Sequence, residues 1–363
     1  MRFHLERRAR ISAATAISVP LLSVLIGVAL GAALLRLLGY GIGTTLHAFF
    51  IAPFASGYSI SEIFLKFGPL LLIAQALAIG FRAKVWNIGA EGQMVMGAIG
   101  ASAIPVYFNE LDSVFVLPAM MALGAAFGML WAGIAAFLRV RFNASEILVT
   151  LMLTAISFQI LYYLVLGPWR DPMGFNFPQT VLFQDAAIFP TLFGGSRVNA
   201  SIFIAVIFTV FAWQFMQKRM SGYRLIVSGM APGAARYAGF SESTGIWVSL
   251  LLAGFAAGLA GMSEVAGPIG QLQRSITSGY GYTAIIVAYL GGLRPLGIVF
   301  AAFFLSVLHI GGDIAVVSGG IPKSAVQVLQ GLLLVCYLAT QLFVSHRLVA
   351  ASPIARTQGA ARG

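Results

Sequence analysis

The stretch AKVWNIGAEGQMVMGAIGA, residues 83–101, brings Asn87, Glu91 and Gln93 close together in a chain that is 59% hydrophobic and 9% charged. Gly80, Gly89, Gly92, Gly97 and Gly100 thread through the same surroundings. A helix that only anchors itself in lipid has no use for a carboxylate and two carboxamides. A charge at mid-bilayer costs about 2.5–3.5 kcal/mol on an insertion scale, so such groups face a bundle interior or a watery cavity. Each interior glycine costs a helix about 1 kcal/mol relative to alanine. Trp86 to Gly92 therefore reads as a break, with a helix starting near Ala90–Glu91. Glu91 and Gln93 then fall in its first turn, where a carboxylate favours the positive helix end. Broken backbone at membrane depth is tolerated only under cover of protein or water. The stretch predicts an interior bend near a solute path. The simpler alternative is that Glu91 caps a helix at the cytoplasmic interface beside Arg82 and Lys84.

A second stretch has the same form. In SGYGYTAIIVAYLGGLRPLG, residues 278–297, Gly279, Tyr280, Gly281 and Tyr282 lead into a short apolar helix. Hydrophobic tiling predicts ten spans, at about 14–38, 66–82, 91–107, 114–138, 146–166, 200–217, 246–266, 281–292, 295–313 and 323–345, since a spanning helix needs roughly 20 apolar residues. The two glycine-led segments are the third span of each five. Five is odd, so a second five-span unit would be inverted, and transporters often carry their route at such a repeat interface. The expected fold is an all-α polytopic transmembrane bundle of about ten spans, open to division into two inverted five-span halves, with residues 1–363 as one transmembrane domain. Of the acids, Glu91, Glu146, Glu264 and Asp313 fall in or at the ends of spans. Gly254, Gly258 and Gly261 allow close helix contact before Glu264.

The rest of the composition agrees. The chain has 363 residues, 28 Phe and a net charge of +11, with a mean hydropathy of +0.92. That excludes a soluble enzyme. With the N-terminus inside, 16 of the 22 Lys and Arg fall on the cytoplasmic side, which accounts for the basic charge by membrane orientation rather than by nucleic acid. Both termini, 1–13 and 346–363, are then cytoplasmic, and the first span is expected to be retained, its apolar run being long for a signal peptide. The one cysteine, Cys336, can form no internal disulfide and has no metal-ligand companions. There is no phosphate-binding G-x-x-x-x-G-K-[ST] loop, no catalytic triad and no metal cluster. No enzymatic activity and no cofactor are expected of this chain.

Two predicted outside connections are long: 39–65, and 167–199 with its Pro, Gly and aromatic residues. On the cytoplasmic side, the 217–245 loop carries a predicted short helix. Pro232 suits its first position, Ala234, Ala235, Arg236, Tyr237 and Ala238 continue it, and Gly239 suits its C-terminal stop. Two turns are unstable alone in water, so this helix must lie either on its own domain or in the cleft of another protein.

These segments together resemble the permeases of bacterial ABC importers, in the branch that includes ribose and branched-chain amino acid permeases, nearest the nucleoside or simple-sugar group. VWNIGAEGQMVMGAIGA resembles that group's F-N-I-G-x-E-G-Q signature, and RFNASEILVTLML its N-E-V-I-x-T-x-M-L segment. APGAARYAGF with LLAGFAAGLAGMSEVAG resembles its coupling loop and next span. GYGYTAIIVAYLGGLRPLGI resembles its G-F-G-F-x-x-I-A-V-A-L-L-G segment. The similarity covers about residues 60–345. It implies a multi-pass inner-membrane subunit that moves a nucleoside, purine-like base or simple sugar. The partners it implies are a cytoplasmic ABC ATPase, a second permease and an extracytoplasmic binding protein. It implies that Pro232 to Gly239 form the ATPase-coupling helix, and that Asn87, Glu91, Gln93, Glu146 and Gly279–Tyr282 hold the interior bend or path. Ser145, Thr154, Met230 and Gly233 depart from the family's more polar pattern. The runner-up is an ion-coupled secondary transporter using Glu91 or Glu264.

Overall fold

The computed structural model describes residues 3–7, 13–194, 196–276 and 278–350. In chain order the elements are β1 (Phe3–Arg7), α1 (Ala13–Leu37), α2 (Ile42–Phe50), α3 (Gly57–Arg82), α4 (Ala90–Tyr107), α5 (Val116–Phe142), α6 (Glu146–Leu166), α7 (Ile202–Lys218), α8 (Met220–Met230), α9 (Pro232–Tyr237), α10 (Glu242–Glu264), α11 (Tyr280–Leu290), α12 (Pro295–Gly319), α13 (Lys323–Ser345) and β2 (His346–Ala350). The fold is helical as expected, and each of the ten tiled segments falls on a helix. Among the described residues, five helices are long and apolar enough to cross a membrane: α3, α5, α6, α10 with its extension to Ile269, and α12. A sixth crossing is reached if α7 and α8, bent by 69°, count as one. Of the expected spans, α11 is short, with 11 residues, and α4 does not meet this test of length and composition.

The structure changes the sequence reading at several points. The segment expected to begin at 66 begins at Gly57, where Ser56 caps the helix by accepting from the Ser59 N–H at 3.1 Å. The 39–65 connection holds α2, and the 217–245 loop holds α8 ahead of the expected short helix. A short antiparallel pair, Phe3 opposite Ala350 through Arg7 opposite His346, adds two strands. Residues 1–2, 8–12 and 351–363, parts of the expected terminal tails, lie outside the described residues.

The chain divides into two compact units, Met1–Ala52 with Gly311–Gly363, and Pro53–Ile310. In the first, α1 runs along α13. Gly311 lets the helix backbone touch that of Phe49, and the Tyr40 hydroxyl donates to the Gly320 carbonyl at 3.3 Å.

In the second unit, α3 is buried on nearly every side from Phe67 to Phe81, as an all-round apolar helix must be. It packs on α7, α10 and α11, while α4, α5 and α10 form a tight three-helix block. That block closes backbone to backbone. A Cβ on Gly97 would run into Gly258, one on Gly128 into Gly254 and Gly258, and one on Gly261 into Met94. Small residues are how membrane helices approach this closely. The α10 helix ends in a π-helical turn, Val265–Ile269, containing Pro268 and stopped by Gly270 at φ +68°. π-turns of this kind are frequent at functional sites. The 167–201 connection docks on the π-turn and the strand-like residues beyond it. Phe189 N–H donates to the Ala266 carbonyl at 2.7 Å, Phe183 N–H to Gly270 at 2.8 Å, and Thr180 N–H to Leu272 at 2.9 Å. Trp169, Phe183 and Phe189 of the connection are buried in a cluster with apolar residues of α4, α6 and the π-turn.

Candidate functional site: two helix starts on one carboxylate

Glu91 is the second residue of α4 and is 1% exposed. Its side chain crosses to α11, whose N-cap is Gly279 at φ +85°, a left-handed conformation that glycine adopts freely. Glu91 Oε1 accepts from the Gly279 N–H at 3.1 Å, and Oε2 accepts from the Gly281 N–H at 2.5 Å. The first N–H groups of a helix have no partner within it; here a carboxylate from another helix supplies both. Two positive helix ends thus share one negative charge. Contact is close because Gly281 has no side chain: a Cβ there would overlap the backbone N and Cα of Glu91. The sequence-predicted interior bend and the simpler capping reading are both partly right, since Glu91 does cap a helix, but in the interior and on the other half of the unit.

The loop ahead of α4 is tied by its own carboxamides. Asn87 Nδ2 donates to Gln93 Oε1 at 3.0 Å, and Gln93 Nε2 donates to Asn87 Oδ1 at 3.2 Å. The same Asn87 oxygen accepts from the Gly89 N–H at 2.9 Å. Asn87 and Gln93 are 3% and 2% exposed, and these mutual bonds satisfy groups that water cannot reach. Thr150 of α6, which the sequence reading does not single out, accepts from the Ile88 N–H at 3.3 Å, and Gly89 lies against its backbone. Glu146, at the first turn of α6, is half-buried. It pairs with Arg139 at 3.3 Å and accepts from the Trp86 N–H at 3.5 Å. It therefore braces the outer edge of the break rather than its centre.

Tyr280 and Tyr282 part company. Tyr280 is 1% exposed; its ring stacks on His309 at 6.3 Å and lies under the Lys66 ammonium at 5.0 Å. Glu264, also buried, interacts electrostatically with Tyr280 and Lys66. Tyr282 is 42% exposed and turns outward, because residues two apart on a helix point about 200° apart. Its side chain is not buried with that of Tyr280. Lys66, His309 and Glu264 extend the site, and no local motif marks the first two. Nearby, Arg197 of the 167–201 connection reaches Glu62 at 2.9 Å, the Tyr58 hydroxyl at 3.3 Å and the Pro268 carbonyl at 2.9 Å. Burial works against its charge, but the Tyr58 hydroxyl and the Glu62 carboxylate outweigh that and raise its pKa above the usual arginine value. This clamp ties the connection to both α3 and the π-turn.

The short helix predicted after Ala231 is α9. Pro232 occupies its first position and Gly239 takes φ +75° after its end, both as expected. Ala235 is 2% exposed and faces inward, whereas Pro232, Ala234, Arg236, Tyr237, Ala238 and Gly239 are exposed, Tyr237 at 99%. The expected small-residue face is thus split, with one alanine anchoring the helix and the others presented outward. Arg236 pairs loosely with Glu242 at 3.6 Å. One residue before the α8–α9 corner ends, Gly229 rests on the backbone of Ala83, the residue that caps α3 and opens the 83–89 break. The α8 helix that leads into α9 is thus in backbone contact with the start of the 83–89 break.

The site can hold and reorient helix ends, and among the described residues no cluster of His, Cys, Asp and Glu could hold a metal. Residues 59–338 match the family model described as the permease component of the branched-chain amino acid transport system. The chain is 32% identical to a glucose ABC transporter permease protein, TsgB13 of Haloferax volcanii, over 96% of this chain and 93% of the relative. It is 30% identical to the guanosine ABC transporter permease protein NupP of Bacillus subtilis, over 85% and 89%. It is 29% identical to the nucleoside ABC transporter permease protein NupB of Lactococcus lactis, over 93% and 94%. These likenesses give no support to the ion-coupled alternative. A multi-pass membrane chain, it belongs to the permease components of ABC importers, the subunits that work with an ATPase and a substrate-binding protein.

Proposed function

We propose that this subunit passes a nucleoside or simple sugar, delivered by an extracytoplasmic binding protein, through the inner membrane together with a second permease. The supporting observation is the relatives' set of solutes, glucose, guanosine and nucleosides. They share a hydroxyl-rich sugar ring, and the relatives that carry them share length and order with this chain. The termini and the α8–α9 side face the cytoplasm, in keeping with the excess of Lys and Arg there. The exposed face of α9 meets the ATPase. Closure of the ATPase on nucleotide pushes α9, the Gly229–Ala83 contact carries the push to the 83–89 break, and Glu91 lets α11 and α4 change angle while their N–H groups stay satisfied.

Two measurements test this. In vesicles containing the permeases, the ATPase and the binding protein, labelled nucleoside or sugar uptake should require ATP and survive ionophores. Uptake that collapses with the ion gradients, without ATP dependence, would overturn the proposal. For the coupling face, Tyr237→Cys should form a disulfide with a cysteine on the ATPase, while Val114→Cys, 90% exposed between α4 and α5, should not. Equal crosslinking at both would remove α9 from that role.

A further inference from the structure

An apolar groove of about 690 Å³ lies between α7, α5 and α10, lined by Ile207, Phe211, Phe215, Val248, Leu252 and Phe255 among others. No polar side chain lines it among the described residues. A second cavity of about 390 Å³ opens at its α8 end, and the two share Phe215 and Val248 as a common wall. This second cavity changes character: Ser221, Arg224, Ser228, Ser241 and Thr244 line it, and no acid does. We propose that the joined cavities hold one anionic phospholipid, its acyl chain along α7 and α10 and its phosphate at Arg224.

The charge and its placement carry the assignment. Among the described residues Arg224 makes no ion pair. Its guanidinium lies over the Phe240 ring at 5.3 Å, leaving its N–H fork open to a phosphate, which it fits in a bidentate manner. Ser241 and Thr244 stand at the N-cap and first turn of α10, so the positive end of a 23-residue helix points into the same cavity. Lys218, over the Trp213 ring at 5.8 Å, and Arg219 stand at the α7–α8 bend, two to three residues before Ser221 of the cavity wall. Basic pockets between membrane helices select anionic headgroups in this way. A helix from another protein would fill the apolar groove but leave Arg224 without a counter-charge. A free phosphate would satisfy Arg224 but leave the groove exposed. One molecule with both parts accounts for the shape of both cavities, and it would sit as a wedge between the bent α7–α8 pair and α10.

The full-length chain is purified in detergent, depleted of lipid and offered phosphatidylglycerol or phosphatidylcholine, with retained lipid read by native mass spectrometry. One phosphatidylglycerol should be retained in preference to phosphatidylcholine. Arg224→Ala should weaken that retention about tenfold, the loss of a charge-assisted contact, and Arg224→Lys should restore most of it. On the wild-type chain, phosphatidylglycerol with a photoreactive tail should mark Phe211–Phe215 and Val248–Phe255. Equal retention of both lipids, retention unchanged in Arg224→Ala, or marks as frequent on α6 as on α7 and α10 would each overturn the proposal. So would a disulfide between two Ile207→Cys chains in the membrane, which would assign the groove to a second copy.

Discussion

Replacing Glu91 tests the central geometry, because its two oxygens serve two different N–H groups. Glu91→Gln keeps the shape but leaves one acceptor, and turns an NH2 group toward an N–H donor at Gly279 or Gly281. One charge-assisted bond is lost, about 1.5–3 kcal/mol, and one buried donor is stranded, about 1–3 kcal/mol. Removing the charge also relieves its burial, which offsets part of this. The net expectation is a loss of about 2 kcal/mol for Gln. For Ala, which strands both donors and forfeits both helix-end interactions, it is about 4 kcal/mol. Asp, one methylene shorter, cannot span both N–H groups and should fall between wild type and Gln. The assay is equilibrium unfolding of the full chain in mixed micelles, followed by circular dichroism, with Glu110→Gln on an exposed turn as the control. If Glu91→Ala stays within about 0.5 kcal/mol of wild type, the range of an ordinary surface change, the carboxylate does not hold the two helices together.

Gly281→Ala should impair insertion or uptake more than Gly279→Asn, since a Cβ at 281 meets the Glu91 backbone while 279 needs only a left-handed residue; equal effects in an uptake assay would contradict this. Gly258→Leu should abolish stable expression, and Gly258→Ala should cost about 1–3 kcal/mol by overpacking against Gly124 and Gly128, read by the same unfolding measurement. Arg197→Ala should release the 167–201 connection from α3 and the π-turn and speed proteolytic cleavage within it several-fold, with little change in cleavage near Glu110. An unchanged digestion pattern would mean that the backbone bonds to Ala266, Gly270 and Leu272 hold it unaided.

Much of this site is legible in the sequence for a physical reason. Membrane interiors penalise Asn87, Glu91 and Gln93 so strongly that their presence alone locates a protein-covered break. Pro232 and Gly239 likewise mark the ends of α9, because one lacks an N–H and the other tolerates a positive φ. Pairing across the chain is what the sequence hides. Nothing local to residue 91 says that its partners are the N–H groups of Gly279 and Gly281, and nothing local to Lys66 or His309 places them on Tyr280. Adjacency groups Tyr282 with Tyr280, although helical geometry sends the two to opposite sides. Size groups Ala235 with Ala234 and Ala238, and only packing shows which one is the anchor. The α8 helix is hard to foresee because Gly222, Gly229 and Arg224 interrupt its apolar pattern; its glycines are there to rest on Phe215 and Ala83.

The backbone-to-backbone seams among α4, α5 and α10 have a kinematic consequence. Helices touching through glycine carbonyls cannot slide or rotate past one another without collision, so these three must travel as a single keel. The joint between α4 and α11 combines such a backbone contact, at Gly281, with a second element: one side chain with rotatable bonds that grips two N–H groups. The start of α11 can therefore turn against α4 only about Gly281, and only as far as the Glu91 side chain can follow before it lets go of either glycine.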